Sequence, residues 1–368
     1  MKINIKKTKA MIFCKTGRHI RKFFPIGETY IETCREYKYL GFRVTPYGGI
    51  SSGLKDLKDR GIKALYKIRQ QLGPLFLQHP KVTIKIFDTL VKPILLYASD
   101  FWGILKFPKN NPIENVHIKF CKELLKVQKQ TTNIGVLLEL GQIPISIFAI
   151  KNAIKNWVRI SNTEKKELLN ASYLNSISED LSWPTQIKNV LSRNGMFDHF
   201  ITKAINTHVR IFQRLSDLFH QNAFHQIGIA SSKLRTYNLI KTNIGYENQL
   251  DEIQNLKHAL TKLRLSNHNL MIEKGRHNKT EIENRFCPFC LNFVEDEIHF
   301  LLICKTFREI RCPIVQPNLD PYSLNTEQLK NQFIYLIKKN TKIKEIARCI
   351  YTMFQCRDYL LTKPRQSF

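Results

Sequence analysis

Ser51-Ser52-Gly53-Leu54-Lys55-Asp56-Leu57-Lys58-Asp59-Arg60-Gly61-Ile62-Lys63-Ala64-Leu65-Tyr66-Lys67-Ile68 decides the architecture of this chain. Leu54, Leu57, Gly61, Ala64 and Ile68 recur at three- and four-residue steps, the period of a helix with one apolar stripe. Lys55, Lys58, Lys63 and Lys67 lie off that stripe, and Ser51 or Ser52 is a natural N-cap. Upstream the period is two. Tyr37-Lys38-Tyr39-Leu40-Gly41-Phe42-Arg43-Val44 alternates and closes on the turn residues Thr45-Pro46-Tyr47-Gly48-Gly49. Ile3-Asn4-Ile5 and Ala10-Met11-Ile12-Phe13 are also β-prone, with a Lys-rich turn between them.

Downstream the helical period persists. One helix is expected from about Lys81 through Leu96, kinked at Pro93. Another starts at Asn111 as N-cap, with Pro112 at N1 and Glu114 at N3, and carries the stripe Ile113, Val116, Phe120, Leu124, Val127. Lys119, Lys122, Lys126 and Lys129 sit three or four residues apart on a different face of it. Such a row suits a phosphate backbone and equally suits an ordinary solvated helix face. Residues 134–160 read as a helical pair split by Gly141 and Pro144, and Ser161-Asn162-Thr163-Glu164-Lys165-Lys166 as a linker or loop. Residues 183–260 are helical with breaks near Asn194-Gly195 and Gly228, and the tail returns to helix around Leu329–Cys356 after a Pro- and Asn-rich loop from Cys312. With 15 glycines and 14 prolines in 368 residues, a turn-rich all-β chain is disfavoured. The expectation is an α+β protein, predominantly α-helical, with no internal repeat.

Charge bounds the partners. Lys and Arg total 58 against 30 acidic residues, a net charge of +28, which self-repulsion disfavours unless a polyanion neutralises it. RNA, DNA or an RNA–DNA hybrid is the natural polyanion. An anionic membrane surface is the alternative, but no basic amphipathic terminal helix or lipidation motif supports it. No run of about 18 apolar residues predicts a transmembrane helix. The N-terminus, Met1-Lys2-Ile3-Asn4-Ile5-Lys6-Lys7, lacks the apolar core of a signal peptide. The expected location is therefore intracellular, nucleus or cytoplasm, and not secreted. Nine cysteines, an odd and mostly scattered set, fit a reducing compartment better than a disulfide framework.

Cys287-Pro288-Phe289-Cys290, His299 and Cys304 form the one dense constellation of ligand-type residues. Two thiolates on a tight turn plus a His and a Cys on the next element supply the four ligands of a closed, structural Zn²⁺ site with no bound water to activate. Phe289, Phe293, Phe300, Leu301 and Leu302 interleave them as a small core. In one regular helix, however, His299 and Cys304 would lie about 140° apart in azimuth, so the helix must begin late, fray or bend. Cys312 is a substitute ligand, and ordinary buried thiols are the plainer alternative. Gly49-Ile50-Ser51-Ser52-Gly53 matches G-x-S-x-G, but Pro46-Tyr47-Gly48 breaks the strand that a nucleophile elbow requires. There is no phosphate-binding G-x-x-x-x-G-K-[ST], no dinucleotide fingerprint and no adjacent Asp pair after a strand. His19, His117 and His258 have no evident catalytic partners in sequence.

Several stretches resemble the C-terminal region of reverse transcriptases from non-LTR (LINE-type) retrotransposons. Asn4-Ile5-Lys6-Lys7-Thr8-Lys9 is similar to the palm segment after the catalytic motif, and Tyr37-Lys38-Tyr39-Leu40-Gly41 to the primer-grip hairpin. Lys92-Pro93-Ile94-Leu95-Leu96-Tyr97-Ala98-Ser99-Asp100-Phe101-Trp102-Gly103 resembles the thumb motif K-P-x-x-L-Y-G-x-x-x-W-G, with Ala98 in place of the usual Gly. Leu138-Glu139-Leu140-Gly141 with Pro144, Asn156-Trp157-Val158-Arg159-Ile160, Ser231–Tyr237, and Leu263–His268 through Ile272–His277 continue the match. Arg285, the four ligands, Glu295-Asp296-Glu297 and Phe300 complete it.

The resemblance implies a palm remnant at 1–48, a basic helical thumb at 50–160, a helical connecting region at 161–280, a zinc-binding module at 286–311 and a helical tail at 312–368. It also implies RNA-directed DNA polymerase ancestry. The family's aromatic-Ala-Asp-Asp hairpin is not in this sequence, so the chain alone is expected not to polymerise, and Mg²⁺ is expected only if the missing palm is supplied. The expected function is nucleic-acid binding through Lys55, Lys58, Lys119, Lys122, Lys126 and Lys129, with Arg264, Arg276 and Arg285 beside the zinc module. The alternatives are a reverse transcriptase active once its palm is restored, the gene model being too short, and a protein-interaction scaffold.

Overall fold

The N-terminal strands form two separate antiparallel hairpins. β1 (Phe23–Ile26) pairs with β2 (Thr29–Glu32) around Gly27 at φ +61°, in the register Phe23 to Glu32 and Ile26 to Thr29. β3 (Tyr37–Tyr39) pairs with β4 (Phe42–Val44). Its two-residue turn, Leu40-Gly41, has positive φ at both positions (+44° and +87°), the primed geometry that matches strand twist. The hydroxyl of Tyr97 donates to the Leu40 carbonyl, and Arg60 Nη2 donates to the Gly41 carbonyl at 3.0 Å, so this turn is held by two later side chains. The structure is a computed structural model that describes all residues except 1–3, 5–7, 14–18, 47–48, 106–110, 164–167, 178–181, 230–232, 254–255, 312–322, 340–341 and 363–368.

Ala10–Phe13 makes no strand; Ala10 forms only an isolated bridge to Thr33, and most of the 3–5 segment lies outside the described residues. The hairpin at Phe23–Glu32 contains Pro25 and buries only Ile31, so no alternating apolar face marks it in the sequence.

The helices follow in order: α1 (Ser51–Leu72), α2 (Leu75–Gln78), α3 (Pro80–Leu90), α4 (Lys92–Leu95), α5 (Ser99–Trp102), α6 (Pro112–Leu125) and α7 (Asn133–Glu139). Next come α8 (Ile145–Ser161), α9 (Leu168–Ile177), α10 (Trp183–Arg193), α11 (Phe197–Thr202), α12 (Thr207–Gly228) and α13 (Arg235–Ile240). The last are α14 (Gln249–Ile253), α15 (Lys257–Arg264), α16 (Met271–His277), α17 (Arg308–Arg311), α18 (Thr326–Ile334) and α19 (Ile343–Thr362). About 66% of the residues are helical, so the chain is α+β and mostly helical. Among the described residues no helix is long and apolar enough to cross a membrane.

Two boundaries differ from expectation for reasons of backbone chemistry. The expected kinked helix over Lys81–Leu96 is two helices, because Pro93 sits in the first turn of α4, where its missing N–H costs nothing. Asn111 caps α6 by accepting from the Ile113 amide at 3.0 Å, as its position predicts. Glu114 closes no capping box; its carboxylate accepts from the amides of Ile145 (3.3 Å) and Ser146 (3.2 Å) and so caps α8 instead.

Contact topology divides the chain into two compact units, 1–71 with 85–117 and 144–216, and 72–84 with 118–143 and 217–368. The segment 50–160 contributes to both. In the first unit Trp157 is fully buried, stacks on Phe200 at 5.3 Å and donates to the Tyr173 hydroxyl at 3.1 Å. α5 lies directly on α8: a Cβ added at Gly103 would meet the Ala149 carbonyl oxygen at 2.1 Å, so only glycine fits there. Ala98, where the resembling motif has Gly, adopts φ +55° and ψ +20°, a left-handed conformation costing about 1–2 kcal/mol for an L-residue.

In the second unit α14 and α15 pack on α19 and α13 on α18, and buried ion pairs lie among them. Arg264, fully buried, donates from Nε and Nη2 to both Glu139 oxygens at 2.8 and 3.0 Å and pairs with Glu247 at 3.1 Å. Lys241, also buried, donates to the same Glu247 at 2.5 Å.

Candidate metal centre

The four sulfur- and nitrogen-bearing residues converge. One ligand atom from each of Cys287, Cys290, His299 and Cys304 lies within 4.8 Å of every other. Cys287 Sγ is 3.8 Å from Cys304 Sγ, and Cys290 Sγ is 3.5 Å from His299 Nε2. With Zn–S bonds of about 2.3 Å and Zn–N bonds of about 2.05 Å, a regular tetrahedron has S···S edges of about 3.8 Å and S···N edges of about 3.6 Å. These two edges match and the remaining separations stay within 4.8 Å, so the cluster could hold a metal ion such as zinc.

Local structure explains the convergence. Phe286 bridges Val294 in antiparallel fashion, the Cys287 amide donates to the Phe293 carbonyl at 2.8 Å, and the Leu291 amide donates to the Cys287 carbonyl at 3.0 Å. Leu291 takes φ +60° to complete this tight turn. The second pair relies on a π-helical turn at His299–Ile303. The Cys304 amide donates to the His299 carbonyl, five residues back, at 2.9 Å. An i→i+5 bond widens the turn, bringing residue i+5 back over residue i, which an α-turn does not do. Helix bending is thus the device that unites His299 and Cys304. Cys312 lies outside the described residues.

Protonation within the cluster is uneven. The Cys304 hydrogen bond and burial push the Cys287 thiol up, while that same hydrogen bond, working against burial and helped by His299 and Thr306, holds the Cys304 thiol down. Phe293 stacks on the His299 ring at 5.5 Å. Phe300, fully buried, touches Phe307 at 5.1 Å and Phe354 of α19 at 4.8 Å, and Leu301 and Leu302 are buried with it, whereas Phe289 is half-buried and Phe293 exposed, so only part of the expected core forms.

Glu295-Asp296-Glu297 ties the cluster into its unit, each residue in a different way. Glu295 takes both Nε and Nη2 of Arg357 on α19 at 2.7 Å, and its Oε2 accepts from the Met271 amide at 2.7 Å, at the start of α16. Asp296 Oδ1 accepts from the His299 amide at 2.7 Å, orienting the ligand-bearing turn. Burial opposes the charge of Glu297, but the hydrogen bond and charge of His268, with Arg235 and Ser266, outweigh it and hold its pKa at about 2. His268 Nε2 lies 3.0 Å from Glu297, Ser266 Oγ 2.7 Å and Arg235 Nη2 2.7 Å.

The residues expected to contact phosphate divide into two groups. Lys55 in the first unit is exposed and Lys58 half-buried. In the second unit Lys119, Lys126 and Lys129 are exposed, Lys119 lying 3.9 Å from Glu123. Lys122 is half-buried, and its Nζ donates to the Lys129 carbonyl at 2.6 Å. Burial and the nearby Lys233 lower its pKa. The four do not form one helical row. α6 ends at Leu125, Lys126 turns left-handed at φ +52°, and the Val127 amide closes back on the Lys122 carbonyl at 3.1 Å.

Arg264 and Arg285 are corrections to the expected contact set, because both are buried and their guanidinium groups are committed to partners within the protein. Arg264 is held by Glu139 and Glu247, while Arg285 donates to the Ile272 carbonyl at 2.7 Å and the Thr280 carbonyl at 2.8 and 3.0 Å. Arg276 is half-buried, 3.4 Å from Glu273. Arg357 and Lys241 were missed, since nothing in their local sequence marks a cation whose carboxylate partner is brought to it by the fold.

No protein-family model, curated protein or solved structure matches this chain.

Proposed function

We propose that this chain is a nucleic-acid-binding protein whose C-terminal part is stapled by a structural Zn²⁺ on Cys287, Cys290, His299 and Cys304. The observation that carries the reading is the pairing of a +28 chain with a four-residue cluster that could hold a metal ion. Four protein ligands leave no open position for a substrate, so the metal organises the fold and the chemistry of recognition falls to the basic surface. Lys55, Lys119, Lys126 and Lys129 are exposed and carry the phosphate contacts, with Lys58, Lys122 and Arg276 at their edges. The resemblance to the C-terminal region of non-LTR reverse transcriptases supports RNA, DNA or their hybrid as the ligand. The reading assigns no catalytic residue to the chain.

Affinity for single-stranded RNA, duplex DNA and an RNA–DNA hybrid, measured across a salt series, tests this. Each lost phosphate contact lowers the log–log salt slope by about 0.7–0.9, so Lys119→Ala/Lys126→Ala/Lys129→Ala should flatten it by roughly 2–3. A salt-independent complex with protein and none with nucleic acid would favour an interaction scaffold instead. Nucleotide incorporation in a primer-extension assay would overturn the non-catalytic assignment.

A further inference from the structure

The second unit holds a cleft of about 560 Å³ beside the metal cluster, and a smaller cavity of about 50 Å³ adjoins it. The two share Gln128, Asn267, His268, Asn269, Arg357 and Asp358. The larger volume lies within the roughly 300–1,000 Å³ that small-ligand sites occupy.

The chain is bent there for a definite reason. α15 stops at Arg264, Ser266 goes left-handed at φ +48°, and the Asn267 amide closes on the Lys262 carbonyl at 2.8 Å. This helix-ending motif presents Asn267 and His268 to the cleft. Asn267 is only 4% exposed and His268 8%. Among the described residues Asn267 Nδ2 and His268 Nδ1 are buried without a hydrogen-bond partner, while the other ring nitrogen of His268 is committed to Glu297. Two adjacent desolvated polar atoms cost about 1–3 kcal/mol each when left unpaired, which a ligand supplying the complementary groups recovers.

The lining says which ligand. Four carboxamides face the cleft, Gln128, Gln130, Asn267 and Asn269; Gln130 Nε2 donates to Gln128 Oε1 at 2.5 Å, which leaves the Gln128 amide nitrogen to donate. Carboxamides present a donor and an acceptor side by side, the pattern that pairs with base edges. Lys274 and His277 lie on the α16 side, with Lys233 beside them held 3.9 Å from Glu273. Met271, Pro288 and Leu361 add apolar wall against which a base face packs. Pro288 belongs to the turn between two metal ligands, so the metal cluster shapes one side of the cleft.

We propose that this cleft binds one unstacked nucleotide. The carboxamides of Asn267, Asn269 and Gln128 read its base, and Lys274 and His277 take its phosphate. The inference rests on the nucleic-acid reading for the nucleotide's usual source, a single strand, although a free nucleotide offers the same chemistry.

The test uses the zinc-loaded full chain. Binding of the four nucleoside 5′-monophosphates is measured by calorimetry, and binding of four ten-residue homopolymer RNAs by anisotropy. Asn269→Ala and Lys274→Ala, both at exposed positions, are compared with the parent at equal zinc content. The proposal expects one base to be preferred in at least one ligand set, and each variant to weaken that preferred ligand at least tenfold. Binding to monophosphate alone keeps the cleft, assigns it to a free nucleotide and removes the nucleic-acid reading. Salt-dependent RNA binding with no base preference, unmoved by either variant, overturns the cleft and leaves the nucleic-acid reading standing. Absence of binding to both sets overturns both.

Discussion

The segment 285–304 and the lysines of 119–129 belong to the same unit and were both read from residue spacing, yet only the first keeps the arrangement its spacing predicts. Metal ligands need only converge within a few ångströms, and backbone devices as different as a tight Cys–Cys turn and a π-turn can meet that demand. A row of cations on a helix face needs the helix to continue beneath it. α6 stops at Leu125, so Lys126 and Lys129 leave the face that Lys119 and Lys122 share. Chemistry that depends on distance alone survives local irregularity; chemistry that depends on helical phase does not.

Removing the metal should separate the two regions most sharply. Chelation, or Cys304→Ser, is expected to cost more than about 5 kcal/mol and to expose the amides of 286–304 to hydrogen exchange. The exposed lysines should keep their behaviour in short-range salt assays. One zinc per chain by elemental analysis is the prior check, and a metal-free protein with unchanged exchange would break the comparison.

A smaller effect is expected where the cluster is anchored. Arg357→Met leaves Glu295 buried without its two-point partner and should destabilise by about 3–5 kcal/mol, read as a shift in urea midpoint. A shift below about 1 kcal/mol would show that the anchoring by α19 is dispensable.

Acidification probes the third anchor. The folded pKa of Glu297 is depressed to about 2, below its ordinary value of 4.5, so its stabilisation is present above that ordinary value and is lost as pH falls towards 2. The stability gap between the parent and Glu297→Gln, of the order of 3 kcal/mol at neutral pH, should therefore narrow between about pH 5 and pH 2. A gap independent of pH would mean that Glu297 acts by shape and not by charge.

The smallest stability effect belongs to the lysines. Lys119→Ala/Lys126→Ala/Lys129→Ala should move the unfolding midpoint by no more than about 0.5 kcal/mol per site, because these side chains are exposed and the one pair among them, Lys119 with Glu123, is a long surface contact. A larger loss would identify them as structural and weaken their case as phosphate contacts.

Much of this was legible before any coordinates. The 3.6-residue period gave α1 from its first turn, the alternation at Tyr37–Val44 gave the second hairpin, and Asn111-Pro112 marked the start of α6. The hairpin at Phe23–Glu32 was not legible, because a strand pair that buries one residue leaves no periodic trace. The same limit hid the partners of the buried charges. Arg264 looks like any basic residue near a metal module until Glu139, 125 positions earlier, is found against it.

The sequence by itself determined the helical class, the excess of positive charge and the four ligand-type residues, because period, composition and short spacings are properties of neighbours along the chain. Tertiary structure alone decided which cations remain at the surface, how Glu295, Asp296 and Glu297 divide their work, and that Asn267 and His268 face a cleft. Those outcomes depend on groups tens of residues apart competing for the same buried partners, and no local pattern records that competition.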